Sequence, residues 1–114
     1  MLTKKFRLRK RTEFAYSFKH GRTQFCGLVN ITVFNRTDKL LRIGFSVSKK
    51  IGKAVVRNKV RRQMQAIVRE SIGEIKVGHN LIFVARPGIE TKEFSEVKKA
   101  LIDALGRAGL ICKK

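Results

Sequence analysis

Across 114 residues, 27 lysines and arginines face only 8 aspartates and glutamates, a net charge of +19. Such an excess repels itself in a compact state and calls for a polyanionic partner. The length suits one domain, and with 43% hydrophobic residues it can bury one modest core, which argues against wholesale disorder. No apolar run approaches the ~18 residues of a spanning helix, so nucleic acid is expected as the partner and membrane is not.

The chain opens on a basic arm, about residues 1–11, holding Lys4, Lys5, Arg7, Arg9, Lys10 and Arg11 around Phe6 and Leu8. A secretory signal would follow this charged start with an apolar stretch of about 7–15 residues. None follows, and a cytoplasmic location is expected. Cys26 and Cys112 stand far apart in no CxxC or Cys/His cluster. They read as reduced thiols and not as metal ligands.

Thr12 is placed to cap a first helix, with Phe14 and Phe18 four apart on one face and Gly21 as a left-handed stop. From Thr23 the period becomes two, with a weak strand signal over residues 22–26. Val29, Ile31 and Val33 then alternate with Asn30, Thr32 and Phe34, the pattern of a half-buried strand. Asn35 to Asp38 supplies a turn. In the next strand Leu41, Ile43, Phe45 and Val47 share one face, and Arg42, Gly44, Ser46 and Ser48 the other.

The longest helix is predicted over Ala54 to Ser71, where Val56, Val60, Met64 and Ile67 form an apolar stripe. Arg57, Asn58, Arg61, Arg62, Gln65 and Arg69 fall on the opposite side. Leu81 to Ala85 reads as a strand covered on both faces. Pro87-Gly88 turns the chain, and Thr91 could cap a last helix carrying Phe94, Val97, Leu101 and Leu105 at helical spacing. The elements predict an α+β two-layer sandwich, one sheet with helices packed mainly on one face.

Function is carried by two surfaces. Between Lys49 and Arg62 lie Lys49, Lys50, Lys53, Arg57, Lys59, Arg61 and Arg62, with no acidic residue from Asp38 to Glu70. An ordinary solvated helix mixes signs and pairs them at i,i+4; like charge alone is stabilised by phosphates. Guanidinium forks grip phosphates, and Asn58 can donate and accept at once. Duplex RNA hides its bases in a deep, narrow groove, so folded RNA would be recognised through backbone and shape. The second surface is Phe14 and Phe18 with the outward sheet face of Asn30, Thr32, Phe34, Arg42, Ser46 and Ser48. Two phenylalanines one turn apart usually mean core, but aromatics beside small hydroxyl and amide groups also form a platform on which unpaired bases stack.

Catalytic groups are sparse. His20 and His79 are 59 residues apart with no lysine or carboxylate spacing to fix them as acid and base. Glu90, Glu93 and Glu96 suit the first turns of a helix, and no metal-site motif or glycine-rich phosphate loop is present.

The segment Phe45-Ser46-Val47-Ser48-Lys49-Lys50-Ile51-Gly52-Lys53-Ala54-Val55-Val56-Arg57-Asn58-Lys59-Val60-Arg61-Arg62 resembles the signature of the bacterial ribonuclease P protein family. The resemblance extends to the basic start, to Glu13-Phe14, to Phe18-Lys19-His20-Gly21 and to Leu81 through Arg86. It implies an αβββαβα fold with the basic helix joining two parallel strands by a left-handed crossover. It implies a catalytic RNA as partner in a 1:1 complex, and removal of the 5′ leader of precursor tRNA. By the same resemblance no cofactor is bound by the protein, and Mg²⁺ acts through the RNA. Lys49, Lys50, Lys53, Arg57, Asn58, Lys59, Arg61, Arg62 and Arg69 would contact that RNA, with Arg7, Arg9, Lys10 and Arg11 as a further basic arm. Phe14, Phe18, Asn30, Thr32, Phe34, Arg42, Ser46 and Ser48 would receive the leader. Lys59 stands where the family motif has its second arginine, and Gln65 where many relatives have a basic residue. A ribosomal-type RNA-binding scaffold, a stand-alone nuclease using His20 and His79, and a DNA-binding architectural protein are the rival readings; none accounts for the continuous match.

Overall fold

A computed structural model describes residues 6–8 and 10–111; Lys4, Lys5, Arg9 and Cys112, singled out above, lie outside the described residues. The elements are α1 (Arg11–His20), β1 (Arg22–Phe25), β2 (Val29–Asn35), β3 (Leu41–Ser46), α2 (Ala54–Ser71), β4 (His79–Ala85) and α3 (Phe94–Arg107). They follow the expected αβββαβα order. The sheet runs β1-β2-β4-β3. Strand β2 is antiparallel to β1 and β4, whereas β3 lies parallel to β4 with α2 as their connection.

Alternation sorts the strands onto two faces. Val29, Ile31 and Val33 of β2 stand beside Ala85, Phe83 and Leu81 of β4, and Ile43 and Phe45 of β3 continue the layer. Over it pack Val60, Met64 and Ile67 from α2 and Val97, Leu101 and Leu105 from α3, all buried in one cluster. The predicted stripe of α2 is thus the core side of that helix. Phe94 of α3 is the exception, 40% exposed at the first turn.

The opposite sheet face presents three rows. Thr23, Thr32, Ile82 and Gly44 form the middle row; Phe25, Asn30, Val84 and Ser46 lie on one side of it; Phe34, Asn80 and Arg42 lie on the other. Helix α1 crosses the middle row. A Cβ on Gly44 would sit 2.6 Å from the Phe14 ring, and one on Gly21 would meet Ser17 O, Val33 O and the Thr32 methyl at 2.7, 2.8 and 2.9 Å. Ile82, outside the main core, is fully buried.

Three local expectations are corrected. Helix α1 begins at Arg11 with Lys10 in the cap position and no side-chain cap, so Thr12 lies inside it. Residues 7 and 8 run along β3, with Leu8 N donating to Ile43 O at 3.0 Å, so the chain turns into the helix directly. Gly21 is extended (φ −81) and not left-handed; the site needs glycine for closeness. Thr91 does not cap α3, because its hydroxyl donates to Gly88 O at 2.7 Å within the preceding turn, and Glu93 takes the cap position.

Two of the atoms a Gly21 side chain would meet are backbone carbonyl oxygens, which cannot swing aside. Gly21→Ala should therefore cost about 1–3 kcal/mol in urea-induced unfolding. A change under about 0.5 kcal/mol would contradict the close seating of α1.

Candidate nucleic-acid interface

The outer side of α2 and the turn before it form the larger cationic surface. Ile51 is buried and anchors the turn Lys49–Ile51, leaving Lys49 and Lys50 exposed. Lys53, Asn58, Lys59, Arg62 and Arg69 are exposed, with Arg57 and Arg61 half-buried beside them. At 100° per residue Asn58, Lys59, Arg62 and Arg69 point away from Val60, Met64 and Ile67, Arg61 lies at the flank and Arg57 beside the apolar stripe, while Lys49, Lys50 and Lys53 precede the helix. Among the described residues, ion pairs join Arg36 to Glu13 and Asp38, Lys92 to Glu96 and Lys98 to Glu70. None involves a cation of this surface. Two guanidinium groups are nevertheless held: Arg57 Nε donates to Gly52 O at 3.2 Å, and Arg61 Nη1 to Asn58 Oδ1 at 2.9 Å. Each keeps further N–H donors for an outside acceptor. The first turn of α2 contains no acidic residue, so its positive end adds to the field.

The second surface lies along α1. Phe14 and Phe18 project from one flank of that helix, and Tyr16 and His20 from the other. Tyr16 meets Phe34 edge-on, ring centroids 5.4 Å apart, and packs on His20 at 4.4 Å. That contact sets the Tyr16 flank over the row of Phe34, Asn80 and Arg42. The Phe14–Phe18 flank therefore borders the row of Phe25, Asn30, Val84 and Ser46. Phe18 is 49% exposed and Phe25 72%.

The eight sheet-side residues expected to form one cleft are thus divided. Phe14, Phe18, Asn30 and Ser46 meet on one flank; Phe34 and Arg42 lie on the other. Ser48 is exposed past the end of β3, beside the lysine turn. Thr32 corrects the expectation of an outward residue: it is fully buried in the row that α1 crosses, its hydroxyl 2.9 Å from that of Thr23. Asn30, also expected to face outward, is buried, and its Oδ1 accepts from Cys26 N at 3.4 Å. Sequence reasoning overlooked Phe25 because β1 is short, although Thr23 and Phe25 alternate with Arg22 and Gln24. It also overlooked Tyr16, whose spacing of four from His20 was legible.

A hydrogen-bonded relay fastens this region. Arg36 grips Asp38 through Nε and Nη2 at 2.8 and 2.9 Å, and its Nη1 donates to Asn80 Oδ1 at 2.8 Å. Asn80 Nδ2 donates to Ser17 Oγ at 2.9 Å. The Arg36 hydrogen bond, followed by the Leu40 N–H, lowers the Asp38 carboxyl to about 2, and Asp38 in turn raises Arg36. His79 alternates with Asn80 and so faces away from α1, whereas His20 sits on α1; the two imidazoles are not brought together. Among the described residues no three His, Cys, Asp or Glu side chains gather, and no helix is long and apolar enough to cross a membrane.

Residues 2–109 match the family described as Ribonuclease P. A protein of Syntrophomonas wolfei named ribonuclease P protein component is 40% identical, covering 99% of this chain and 95% of its own length. One of Alkaliphilus metalliredigens with the same name is 35% identical, covering 92% and 95%. Among solved structures, the Staphylococcus aureus RNase P protein superposes with a TM-score of 0.86 at 25% identity, over 94% of this chain and 98% of that one. The Thermotoga maritima RNase P protein gives 0.81 at 28% identity, over 89% and 96%.

Because its folded pKa lies below the ordinary carboxylate value of about 3.9, Asp38 contributes stability that is fully present above pH about 4. That contribution is lost as pH falls through about 2. Carboxyl-carbon NMR should find Asp38 titrating below the ordinary carboxylate range, and Arg36→Gln should return it to that range. A normal Asp38 titration in the unsubstituted protein would mean the Arg36 fork is not formed.

Proposed function

The chain belongs to the ribonuclease P protein family, and we propose that it binds the catalytic RNA through the basic face of α2 and receives the single-stranded 5′ leader of precursor tRNA along the Phe14–Phe18 flank of α1. It is a protein component of ribonuclease P, an endoribonuclease of tRNA processing, and its partner is the RNA of that enzyme. The observation that carries the finer reading is the cationic surface of α2, which has no ion-pair partner among the described residues. Charge left unpaired on one helix is stabilised by phosphates, and the Arg57 and Arg61 guanidinium groups are already oriented by Gly52 and Asn58, which lowers the entropy of gripping them.

The leader reading rests on exposed aromatic faces. Phe18 and Phe25 border a row containing Ser46 and the buried Asn30, so bases can stack on the rings while the Ser46 hydroxyl meets their edges. Substrate still carrying a leader gains these contacts and mature tRNA does not, so the protein favours precursor over product. Bond cleavage is assigned to the RNA, which would hold the Mg²⁺ ions; the protein's share is to bind, orient and neutralise. A 1:1 complex in the cytoplasm completes the proposal.

Cleavage of a leader-bearing precursor tRNA at low magnesium, with RNA alone, protein alone and both together, tests it. Stimulation only in the mixture is expected. Cleavage by the protein alone would redirect attention to His20 and His79, and no effect in any mixture would favour a ribosomal-type scaffold. Phe18→Ala should weaken binding of leader-bearing precursor by about 1–3 kcal/mol, leave leaderless tRNA unaffected, and change unfolding stability by less than about 0.5 kcal/mol. Arg57→Ala and Arg62→Ala should each weaken binding of the RNA subunit by about 1.5–3 kcal/mol, read from titrations at constant salt.

A further inference from the structure

At the start of α1, on the Tyr16 flank, Arg7, Lys10, Glu13, Arg36 and Arg42 line a cavity of about 200 Å³. Four cations and one carboxylate converge from the chain before α1, from α1 itself, from the β2–β3 turn and from β3. Their surroundings divide them. Arg36 is engaged by Asp38, Asn80 and, at 3.8 Å, Glu13, so it is a wall of the cavity and the local sink for Glu13. Arg7, Lys10 and Arg42 have no carboxylate partner among the described residues. The Nε of Arg42 is shielded from solvent and makes no hydrogen bond there. A shielded N–H on a cation is costly when its hydrogen bond is left unmade. Lys10 occupies the cap position of α1 with no side-chain cap, its carbonyl oxygen accepting from Phe14 N at 2.9 Å, so the positive end of the helix adds to the cavity's field. Every unmet group here is a donor, and an anion with several acceptor oxygens would meet them together.

We infer that this cavity binds one phosphate group of a single-stranded RNA backbone, on the side of α1 opposite the Phe14–Phe18 flank. The neighbouring surface favours a nucleotide over a free ion. Tyr16 is 56% exposed and lies six residues along α1 from Lys10, about 9 Å by helical rise. Phe34 and His20 both contact the Tyr16 ring, and its remaining exposed surface offers a place for a base beside a seated phosphate. The inference rests on the RNA-binding reading above for the identity of the polyanion, and on the cavity alone for its location.

The test follows the Arg42 Nε–H resonance by ¹⁵N NMR in the full chain, adding a six-residue oligouridylate and, separately, inorganic phosphate. A shift with the oligonucleotide, with or without one from phosphate, supports the site. A shift with phosphate alone, or with neither, overturns it. In parallel, oligouridylate affinity is measured against salt for the unsubstituted protein, for Arg7→Ala/Lys10→Ala and for Phe18→Ala. Losing one phosphate contact should lower the slope of log K against log salt by about 0.7 and affinity by about tenfold in the double variant, whereas Phe18→Ala should keep the slope. An unchanged slope in the double variant overturns the inference even where the unsubstituted protein stimulates precursor cleavage. Absence of that stimulation is instead a failure of the assigned function, so the two remain separable. Arg42→Lys, which keeps the charge and removes the fork, provides a variant that preserves packing.

Discussion

The seat of α1 on the sheet governs everything on that side of the molecule. Ser17 and Asn80 are both almost fully buried and 63 residues apart in the chain, and each satisfies the other while Arg36 satisfies the remaining oxygen of Asn80. Buried polar groups are tolerated only when paired, and losing one member would leave an orphan costing about 1–3 kcal/mol. A helix resting on apolar contacts alone could slide. This one is registered by a hydrogen-bonded relay at Asn80 and by the close approaches at Gly21 and Gly44. The consequence is geometrical: a ten-residue helix divides one sheet face into two flanks of different character, aromatic with small polar groups on one and cationic on the other.

Charge placement follows the same economy of space. The apolar sides of α2 and α3 are consumed by the shared core, so the cations of α2 have only the solvent side left. Four ion pairs are formed among the described residues, and Arg36 enters two of them. Most positive charge therefore stays uncompensated within the chain, and a bound polyanion stabilises the folded state by mass action.

How far the sequence could be read depended on whether a signal was local. Helix α2 was legible to its end residues, because a stripe of spacing 4, 4 and 3 with one-sided charge leaves little freedom. The edge strand β1 left only a weak signal, and the full αβββαβα order came from the family resemblance. Alternation in β2 separated its two faces correctly, yet it could not say what covers each face, and Thr32 was taken as outward for that reason. What covers it is α1, whose position depends on Asn80 and Gly44, contacts distant in sequence. The caps failed similarly: Thr12 and Thr91 have the right side chains, but residues 7–8 pairing with β3 and the Gly88 turn decide where the helices begin. The pocket at Arg42 was unreadable because its lining comes from three separated segments, residues 7–13, Arg36 and Arg42.

The longest motif, Phe45 to Arg62, acquires a physical reason from the fold. Its first residues end β3, where Ser46 borders the Phe14–Phe18 flank; Ser48 to Ile51 then turn the chain with Ile51 as buried anchor, and α2 carries the cations away. One uninterrupted segment thus joins the edge of the aromatic flank to the basic helix. Because β3 and β4 are parallel neighbours, α2 must also return the chain along the sheet, so it cannot reorient without disturbing the pairing of the edge strand β3 with β4. An RNA bound on α2 would therefore stand in fixed relation to a strand lying beside α1. Under the proposed function that rigidity would hold two parts of a polynucleotide in fixed relation, and the residues from Phe45 to Arg62 read as one motif while bordering both surfaces.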